Sequence, residues 1–278
     1  MIDLARLHDL ADPPSGLHVR PPCDPAAVPG LVASPVVAIV GARTASREGC
    51  AFAQRLAGVL AAHGVAVVSG LARGIDAAAH AGALERGGRT VAVLGCGVDR
   101  DYPAATAALA ARIAERGAVL SEYPPGTPPA PFRFPERNRI VAALADAVIV
   151  IEAAGRSGAL ITARLGLELG RDVLVAPGAP WLDAFTGSNL LLRDGALPLV
   201  DAADVLVALG IDPGAARAGD PEGPARRVLA ALRREPASAD VLAARCGIAA
   251  AAAAALIAEL ESAGHVRRRR DGRLVPVG

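Results

Sequence analysis

Short, wholly apolar runs alternate with longer amphipathic stretches over residues 36–176. Runs of this kind leave no polar face for solvent, so they predict strands that are buried on both sides of a sheet. The predicted strands are 36–40, 65–68, 90–94, 118–120, 147–151 and 172–176, and the predicted helices between them are 47–62, 75–86, 103–116 and 158–169. This alternation predicts an α/β fold with a doubly wound, mostly parallel sheet.

The segments on either side of this sheet domain, which we place at 36–210, have other patterns. Residues 1–35 are rich in proline and predict an extended lead-in with one short helix at 3–10. Residues 211–224 have the composition of a linker. Residues 225–278 predict three helices, at 225–234, from about Ser238, and at 248–263, followed by a hairpin turning at Asp271-Gly272. That order is typical of a small winged-helix domain.

Charge and composition narrow the possible partners and the compartment. The 278 residues carry a net charge of +1, and ten arginines against five acids fall within 225–278, so the sheet domain needs a local basic patch to bind a polyanion. No apolar run is long enough to cross a bilayer, and no export signal precedes the first strand. The four cysteines have no metal-binding or disulfide spacing, which favours the reducing cytoplasm and predicts no metal site.

Glycine and arginine recur where the predicted strands end. Because the carboxyl ends of parallel strands share one edge of a sheet, these turns predict a single binding surface that a bulky ligand can approach closely. The turns are Gly41-Ala42-Arg43, Ser69 to Gly74, Gly95-Cys96-Gly97, Glu152 with Gly155 to Gly158, and Pro177-Gly178. An arginine guanidinium can donate two hydrogen bonds to one phosphate, and the backbone N–H groups at the start of a helix favour bound anions. The expected ligand is therefore anionic.

A proline-rich segment, SEYPPGTPPAPFRFP at 121–135, interrupts the alternation and predicts a functional loop. Within its continuation FRFPERNR, the arginines 133, 137 and 139 alternate with Phe132 and Phe134, a composition that suits a nucleobase stacked beside its phosphate. Phe134 is equally interpretable as a core anchor of the loop. Arg139 is alternatively a cap of the next helix or a partner of Asp146.

No catalytic constellation is evident in the sequence. Asp76 and His80 are one helical turn apart. Such an Asp–His pair acts either as a general base in catalysis or, more often, as a structural contact between helices. Glu122 and Glu152 stand at strand ends, where a carboxylate is either catalytic or a salt-bridge partner for the loop arginines. None of the common hydrolase or zinc-protease motifs is present. We therefore expect no catalytic residue, no cofactor and a protein that is not an enzyme.

A set of motifs in fixed order closely resembles the DNA-processing protein A family (DprA/Smf) over residues 36–200. The motifs are VGARTAS (40–46), VSGLARGIDAAAH (68–80), GCGVDRDYP (95–103), LSEYPPG (120–126), FPERNRI (134–140), EAAGRSGALITA (152–163), APG (176–178) and GSNLLLRDGA (187–196). The resemblance implies a Rossmann-like domain that binds single-stranded DNA at its strand ends, protects it during natural transformation and helps to load the RecA recombinase. It also implies a homodimer, whereas the expectation of a cytoplasmic protein with no membrane association comes from the composition.

The same resemblance assigns site residues to this chain. Arg43 matches the arginine of the family's first glycine turn and is the residue expected to grip phosphate. Ser69, Gly70 and Gly74 match the second turn, and Phe134, Arg137 and Asn138 match the FPxRN motif. The full expected binding set for single-stranded DNA and its phosphates is Gly41, Arg43, Ser46, Ser69, Gly70, Arg73, Gly74, Phe134, Arg137, Asn138, Arg139, Ser157 and Gly158.

This chain also departs from the family pattern. Glu48-Gly49 stands where the family usually has Tyr-Gly, and Ala104 and Thr106 stand where members often carry a basic residue and an asparagine, with Arg100 as a possible substitute. The N-terminal sterile-alpha-motif-type domain of many members is expected to be missing.

Two other classes of function remain open at this point. One is a nucleotide-processing enzyme, similar to a nucleoside-monophosphate glycosidase, with Glu152 as its acid; the glycine-rich run typical of that class is absent. The other is a ligand-sensing transcription factor that binds its operator through the winged helix. The third helix of that domain, IAAAAAAALIAEL, has few of the side chains that read base edges, so an accessory or protein-contact role is favoured.

Overall fold

A sheet of eight strands organises the first part of the chain. The computed structural model describes residues 1–33, 35–214 and 223–277, and the chain divides into two units, Met1–Leu209 and Gly210–Gly278. The predicted linker at 211–224 falls largely on residues 215–222, which lie outside the described residues.

The strands and helices of the first unit follow the predicted alternation. The strands are β1 (His18–Val19), β2 (Val36–Gly41), β3 (Ala66–Ser69), β4 (Thr90–Leu94), β5 (Ala118–Ser121), β6 (Ala147–Ile151), β7 (Asp172–Val175) and β8 (Leu197–Pro198). The α-helices are α1 (Val28–Leu31), α2 (Arg47–Ala62), α3 (Ile75–Glu85), α4 (Ala107–Arg116), α5 (Arg133–Leu144), α6 (Ala159–Glu168), α7 (Thr186–Arg193) and α8 (Ala202–Ala208). Short 3-10 helices span Ala5–Leu7, Pro25–Ala27, Ala104–Thr106 and Asp183–Phe185.

The strand order is β1-β5-β4-β3-β2-β6-β7-β8, and every neighbouring pair is parallel except β1 with β5. The chain therefore builds the sheet outward from β2 on one side, through β3, β4 and β5, and then crosses to β6 on the other side. This reversal of direction at β2 leaves a crevice at the carboxyl ends of β2 and β6. The predicted doubly wound, mostly parallel, Rossmann-like sheet is confirmed.

Apolar side chains cover both faces of the sheet, as the uniform strands require. Val36, Ala38 and Val40 of β2 pack in the same core as α5 and α6, whereas Ala92 and Leu94 of β4 pack on the other face against α3 and α4. Two-sided burial is why these strands lack the alternation of a half-exposed strand. The sheet is thereby held rigid beneath the loops at its carboxyl edge.

The expected extended lead-in at 1–35 packs into the first unit. β1 adds an antiparallel strand beside β5, and Leu4, Leu7 and Leu17 are buried in the main core. Arg6 donates to the carboxylate of Asp146 at 2.8 Å and to the carbonyl of Leu144 at 3.2 Å. Of the predicted helix at 3–10, only the turn Ala5–Leu7 forms. A two-residue strand is too short to form a periodic pattern, so β1 cannot be predicted from the sequence.

The helix α5 begins earlier than the sequence predicted. The loop expected to continue through FRFPERNR ends at Phe132, because the helix starts at Arg133. Pro135 is the third helical residue, where a backbone N–H has no intrahelical acceptor, so the missing donor costs nothing. Phe134, Arg137 and Asn138 are therefore on a helix rather than on a loop.

The second unit is a winged helix. Its elements are α9 (Pro224–Arg234), α10 (Ala239–Cys246), α11 (Ala250–Ser262), β9 (Val266–Arg268) and β10 (Leu274–Pro276). Leu229, Leu242 and Ile257 share one buried core with Leu274, which joins the hairpin to the helices. Over the described residues, no single helix is long and apolar enough to cross a bilayer, and α10 with α11, bent by 112° at their junction, passes that test only as a pair.

Candidate functional site

A cavity of about 510 Å³ opens at the crevice where the strand order reverses. Its walls come from the turn after β2, the turn after β3, the first half of α5 and the turn between β6 and α6. Of the predicted site residues, it brings together Gly41, Arg43, Gly70, Phe134, Arg137, Asn138, Ser157 and Gly158. The predicted Gly95-Cys96-Gly97 and Pro177-Gly178 turns do not line it.

The Arg43 turn is held close to the sheet by two glycines. A Cβ on Gly41 would overlap the carbonyl oxygen of Ile151, the neighbouring strand's last residue. Gly74 has a φ of +78° and packs against the carbonyls of Ala42 and Arg43, where a side chain has no room. Arg43 itself is exposed, and its Cζ lies 5.3 Å from the centroid of the Phe134 ring. The guanidinium thus rests against an aromatic ring at the cavity mouth, free to turn onto a phosphate.

Ser46 supports this turn rather than lining the cavity. Its hydroxyl accepts the N–H of Gly49 at 2.9 Å and so caps α2. Its backbone N–H donates to Glu152 Oε2 at 2.7 Å, and its hydroxyl donates to Glu152 Oε1. Glu152 is buried and has a φ of +51°. The carboxylate that the sequence left open as a catalytic acid therefore ties the two strand-end turns together.

The turn after β3 contributes backbone and one exposed arginine. Ser69 is fully buried and its hydroxyl donates to the carbonyl of Ile39 at 2.6 Å, so it does not point into the cavity. Gly70 lines the cavity, and it packs so closely on Arg137 that a Cβ there would overlap the guanidinium. Arg73 is exposed and lines a smaller, adjoining cavity instead.

Arg137 is a fixed cation in the cavity wall. Only 4% of its surface is exposed, and Nη1 donates to the carbonyls of Gly70, at 2.8 Å, and Val93. Burial lowers the pKa of Arg137 to about 10, which still leaves it charged at neutral pH. Asp76 lies nearby and accepts the N–H groups of Gly70 and Ala72 at 3.2 and 3.3 Å. Burial raises the pKa of Asp76, and the charge of Arg137 opposes that rise.

Asn138 and Arg139 are adjacent in α5, but their side chains contact different parts of the first unit. Asn138 lines the cavity and its amide donates to the carbonyl of Gly158 at 3.2 Å, which joins α5 to the start of α6. Arg139 lies outside the cavity lining and donates to both carboxylate oxygens of Glu122, at 2.7 and 3.0 Å. The salt-bridge interpretation of Glu122 is therefore the one that the structure shows. Asp146, the other partner considered for Arg139, pairs with Arg6.

The turn before α6 closes the opposite wall. Ser157 and Gly158 line the cavity, and the Ser157 hydroxyl accepts the N–H of Ala159 at 3.3 Å. The exposed Arg156 joins them, although it was not among the predicted site residues. Its place in the GRSG turn, directly beside two predicted residues, was the signal that could have found it. The α6 start also directs backbone N–H groups and a partial positive charge toward the cavity.

Asp76 and His80 do not form a catalytic pair. His80 is fully buried and its Nδ1 contacts the Thr90 hydroxyl at 2.7 Å, while Asp76 bonds to backbone N–H groups. Burial, followed by the charge of Arg137, lowers the pKa of His80 to about 3. Both residues fix α3 against its neighbours. Within the part of the chain that the structure describes, no group of three or more potential metal ligands occurs.

Comparison with known proteins supplies a second, independent set of observations. A family model described as DNA recombination-mediator protein A matches residues 5–210, and one described as DprA winged helix domain matches residues 212–272. A relative from Mycobacterium tuberculosis that carries the DprA name is 44% identical over 252 residues, 87% of this chain and 64% of that protein. The DNA processing protein DprA of Streptococcus pneumoniae is 44% identical over 176 residues, 63% of this chain and 62% of that protein. The chain thus spans less than two thirds of either relative.

Two solved structures resemble the fold. DNA processing protein A from Streptococcus pneumoniae has a TM-score of 0.69 at 40% identity, covering 74% of this chain and 70% of its own. DNA processing protein A from Helicobacter pylori has a TM-score of 0.67 at 31% identity, covering 75% and 93%. The description of the Helicobacter structure concerns that protein's single-stranded-DNA binding mode.

Proposed function

The chain belongs to the DNA recombination-mediator protein A family, also named DprA/Smf, and on that premise we propose that it binds single-stranded DNA in the cavity at the carboxyl ends of β2 and β6. The observation that carries the proposal is the pairing of Arg43 with Phe134 at the mouth of that cavity. A guanidinium and a ring placed together suit a phosphate and the base attached to it. A buried cation, Arg137, in the wall behind them adds positive potential.

Binding of this kind tolerates any sequence. Every base offers a face for stacking, and phosphate contacts are the same along the strand, so neither term depends on sequence. Phosphate neutralisation releases counterions, so affinity falls as salt rises. The chemistry needs no metal, no nucleotide cofactor and no catalytic residue, and we propose that the protein is not an enzyme.

Protection of incoming strands and their transfer to the RecA recombinase complete the proposed role, in the cytoplasm. Support for this step is the family's description as a recombination mediator, together with the similarity to DprA relatives. Its test is the strand-exchange activity of RecA on single strands that already carry a single-strand-binding protein. Addition of this protein should shorten the lag before exchange, and an unchanged lag would argue against the transfer step.

A homodimer is the proposed assembly, and the edge of the sheet at β8 is the surface that suits it. Exposed apolar residues cluster along this part of the sequence: Trp181 at 81% exposure, Leu182, Leu190, Leu197, Val200 and Val207. An exposed apolar edge strand is a ready pairing surface for a second copy. Sedimentation should give a dimer for the wild type and a monomer for Val200→Glu, with the exposed Leu167→Glu in α6 as the matched control.

The two alternative functions find less support in the geometry. Both oxygens of Glu152, the residue that a glycosidase needs as its acid, accept hydrogen bonds from Ser46. On the winged helix, the exposed positions of α11 are mostly alanine, including Ala251, Ala254 and Ala258, which have no group for reading base edges. We therefore assign the winged helix an accessory or protein-contact role.

The test is fluorescence anisotropy with a labelled dT20 strand and a labelled duplex at 50 and 200 mM salt. The wild type should prefer the single strand by at least about tenfold and lose affinity at the higher salt. Arg43→Ala should weaken binding by at least about tenfold, because a charge-assisted phosphate contact and the partner of Phe134 are both lost. Arg112→Ala, an exposed arginine of α4 that does not line the cavity, is the matched control and should bind like wild type.

Other outcomes would redirect the proposal. Tight, sequence-dependent binding of the duplex would indicate the transcription factor. Release of free base from nucleoside monophosphates, abolished by Glu152→Gln, would indicate the enzyme.

A further inference from the structure

A second cavity, of about 310 Å³, adjoins the first on the same edge of the sheet. It extends toward β4 and is lined there by Leu94, Gly95, Tyr102 and the small residues Ala104 and Ala105. The two cavities share Arg43, Gly70, Phe134 and Arg137 among their lining residues. Because they meet at the same side chains, a ligand that fills one has its next unit within reach of the other.

An aromatic pair forms one wall of this second cavity. The rings of Tyr102 and Phe134 are stacked, with centroids 5.5 Å apart and planes 23° from parallel. Phe134 lies against Gly95, where a Cβ would be 2.9 Å from the ring. Tyr102 is 45% exposed, so its ring is not a core anchor and is available to a ligand. Stacking on such a ring is the usual way in which proteins hold an unpaired base.

The volume of the second cavity depends on short side chains. Ala104 and Ala105 are exposed at the start of the 3-10 helix that follows Tyr102-Pro103. The methyl groups at these two positions occupy little of the cavity. Members of the family often carry a longer, basic side chain where this chain has Ala104. The departure from the family pattern is therefore also what leaves space for a flat ring.

The charges around the second cavity suit a nucleotide. Arg43, Arg73 and Arg137 line it, and no carboxylate is among its described lining residues, whereas Asp76 lines the first cavity. Arg43 and Arg73 are exposed. Within the described part of the chain, neither forms an ion pair. Two exposed guanidinium groups beside an aromatic wall suit a base with its backbone phosphate.

We propose that this second cavity is a subsite for a second base of single-stranded DNA, so that one copy of the chain holds two consecutive nucleotides. Their bases occupy the two cavities, and the phosphate that joins them lies beside Arg43. This inference rests on the proposed function, because it assumes that the first cavity takes a base. Tyr102 is then a contact residue for the second base.

The test compares variants of the second cavity on labelled dT20. Tyr102→Ala should weaken binding about tenfold, the loss expected for one base-stacking contact. Ala105→Trp, which fills the cavity without removing a contact, should give a similar loss, and Tyr102→Phe should bind like wild type. The control is Leu167→Ala, since Leu167 is 52% exposed in α6 and lines neither cavity. Circular dichroism should show that every variant is folded.

A dinucleotide series locates the second base. The ligands are pTpT and its two derivatives in which one or the other base is replaced by an abasic tetrahydrofuran, each measured by competition against labelled dT20. Wild type should bind pTpT about tenfold more tightly than either derivative. Tyr102→Ala should bind pTpT no more tightly than the derivative that lacks the second base, but should still discriminate against the derivative that lacks the first.

Unchanged dT20 affinity in Tyr102→Ala or Ala105→Trp would overturn the second subsite while leaving the proposed function intact. Failure of the wild type to prefer single strands would overturn the proposed function itself. The two failures are therefore distinguishable.

Discussion

The carboxylate of Glu152 accepts both the backbone N–H and the hydroxyl of Ser46, although the two residues are 106 positions apart in the chain. This contact joins the turn after β6 to the turn that carries Arg43. It leaves Glu152 with a left-handed backbone, which a residue other than glycine adopts only when its surroundings require it.

Glu152→Gln should therefore affect stability and binding together. An amide presents one acceptor oxygen where the carboxylate presents two, so Ser46 loses a charge-assisted partner and the free energy of unfolding should fall by about 1–3 kcal/mol. Affinity for dT20 should fall at least severalfold, because the Arg43 turn is no longer fixed. Urea denaturation and anisotropy measure the two effects. Glu168→Gln, an exposed carboxylate in α6, is the control, and equal behaviour of both variants would disprove the role of the contact.

The two arginines that share the cavity wall should respond differently to substitution. Arg137→Ala leaves the carbonyls of Gly70 and Val93 without their buried donor, so we expect a loss of about 2–4 kcal/mol in the free energy of unfolding. Arg43→Ala removes an exposed side chain, so the free energy of unfolding should change by less than about 0.5 kcal/mol, while dT20 binding should weaken by at least about tenfold. Urea curves decide between these outcomes, and a stable Arg137→Ala protein would contradict the structural role of its guanidinium.

Burial of His80 predicts a loss of stability in acid. The folded pKa of about 3 lies below the unfolded value of about 6.5, so below pH 6.5 only the unfolded chain gains the proton. The stabilisation is complete above pH 6.5 and is lost as pH falls, at up to about 1.4 kcal/mol per pH unit, until the folded pKa is reached. Burial raises the pKa of Asp76, so its contribution to stability changes with pH in the opposite direction. The unfolding free energy of His80→Asn is therefore subtracted from that of the wild type at each pH. Their difference in unfolding free energy should shift by about 2 kcal/mol between pH 7 and pH 5.

The same pair of proteins supplies the internal control for this pH effect. Above pH 7 the two stability curves should run parallel, since His80 is neutral in both states of the wild type. Parallel curves down to pH 5 as well would show that His80 is not held neutral by the fold.

Gly74 allows comparison with another glycine of positive φ. Gly74→Ala should lower the free energy of unfolding by at least about 2 kcal/mol, because a side chain there combines backbone strain with a collision against the Arg43 turn. Gly87→Ala, at a φ of +66° with open space around it, should cost only about 1 kcal/mol. Gly74→Ala alone should also weaken dT20 binding. Equal effects of the two substitutions would show that the contact with Ala42 and Arg43 is unimportant.

The sequence predicted the sheet well because two-sided burial makes each central strand a short apolar run. It failed at β1, where pairing with β5 comes from tertiary contacts, and at the start of α5, where Pro135 suggested a loop although its position in the first turn suits a helix. Helices α7 and α8 were also missed, since the 179–210 region has no regular apolar spacing.

The sequence predicted where the cavity lies better than it predicted which side chains line it. Glycine at the strand ends indicated the edge at which the cavity lies, because close packing there depends on local backbone geometry. The sequence could not distinguish Arg43, which is exposed, from Arg137, which is buried, since burial is set by residues distant in the chain. The stacking of Tyr102 on Phe134, and with it the second cavity, depends on the same kind of distant contact.

The crossing from β5 to β6 has a thermodynamic consequence. The walls of the first cavity come from segments that meet only when β2 and β6 pair in the centre of the sheet, so an unfolded or partly assembled chain offers no such cavity. Ligand occupancy is then linked to cooperative folding of the whole first unit. Single-stranded DNA present at one hundred times its dissociation constant should add about 2.7 kcal/mol to the free energy of unfolding. A rise in melting temperature would therefore report directly on occupancy of the cavity.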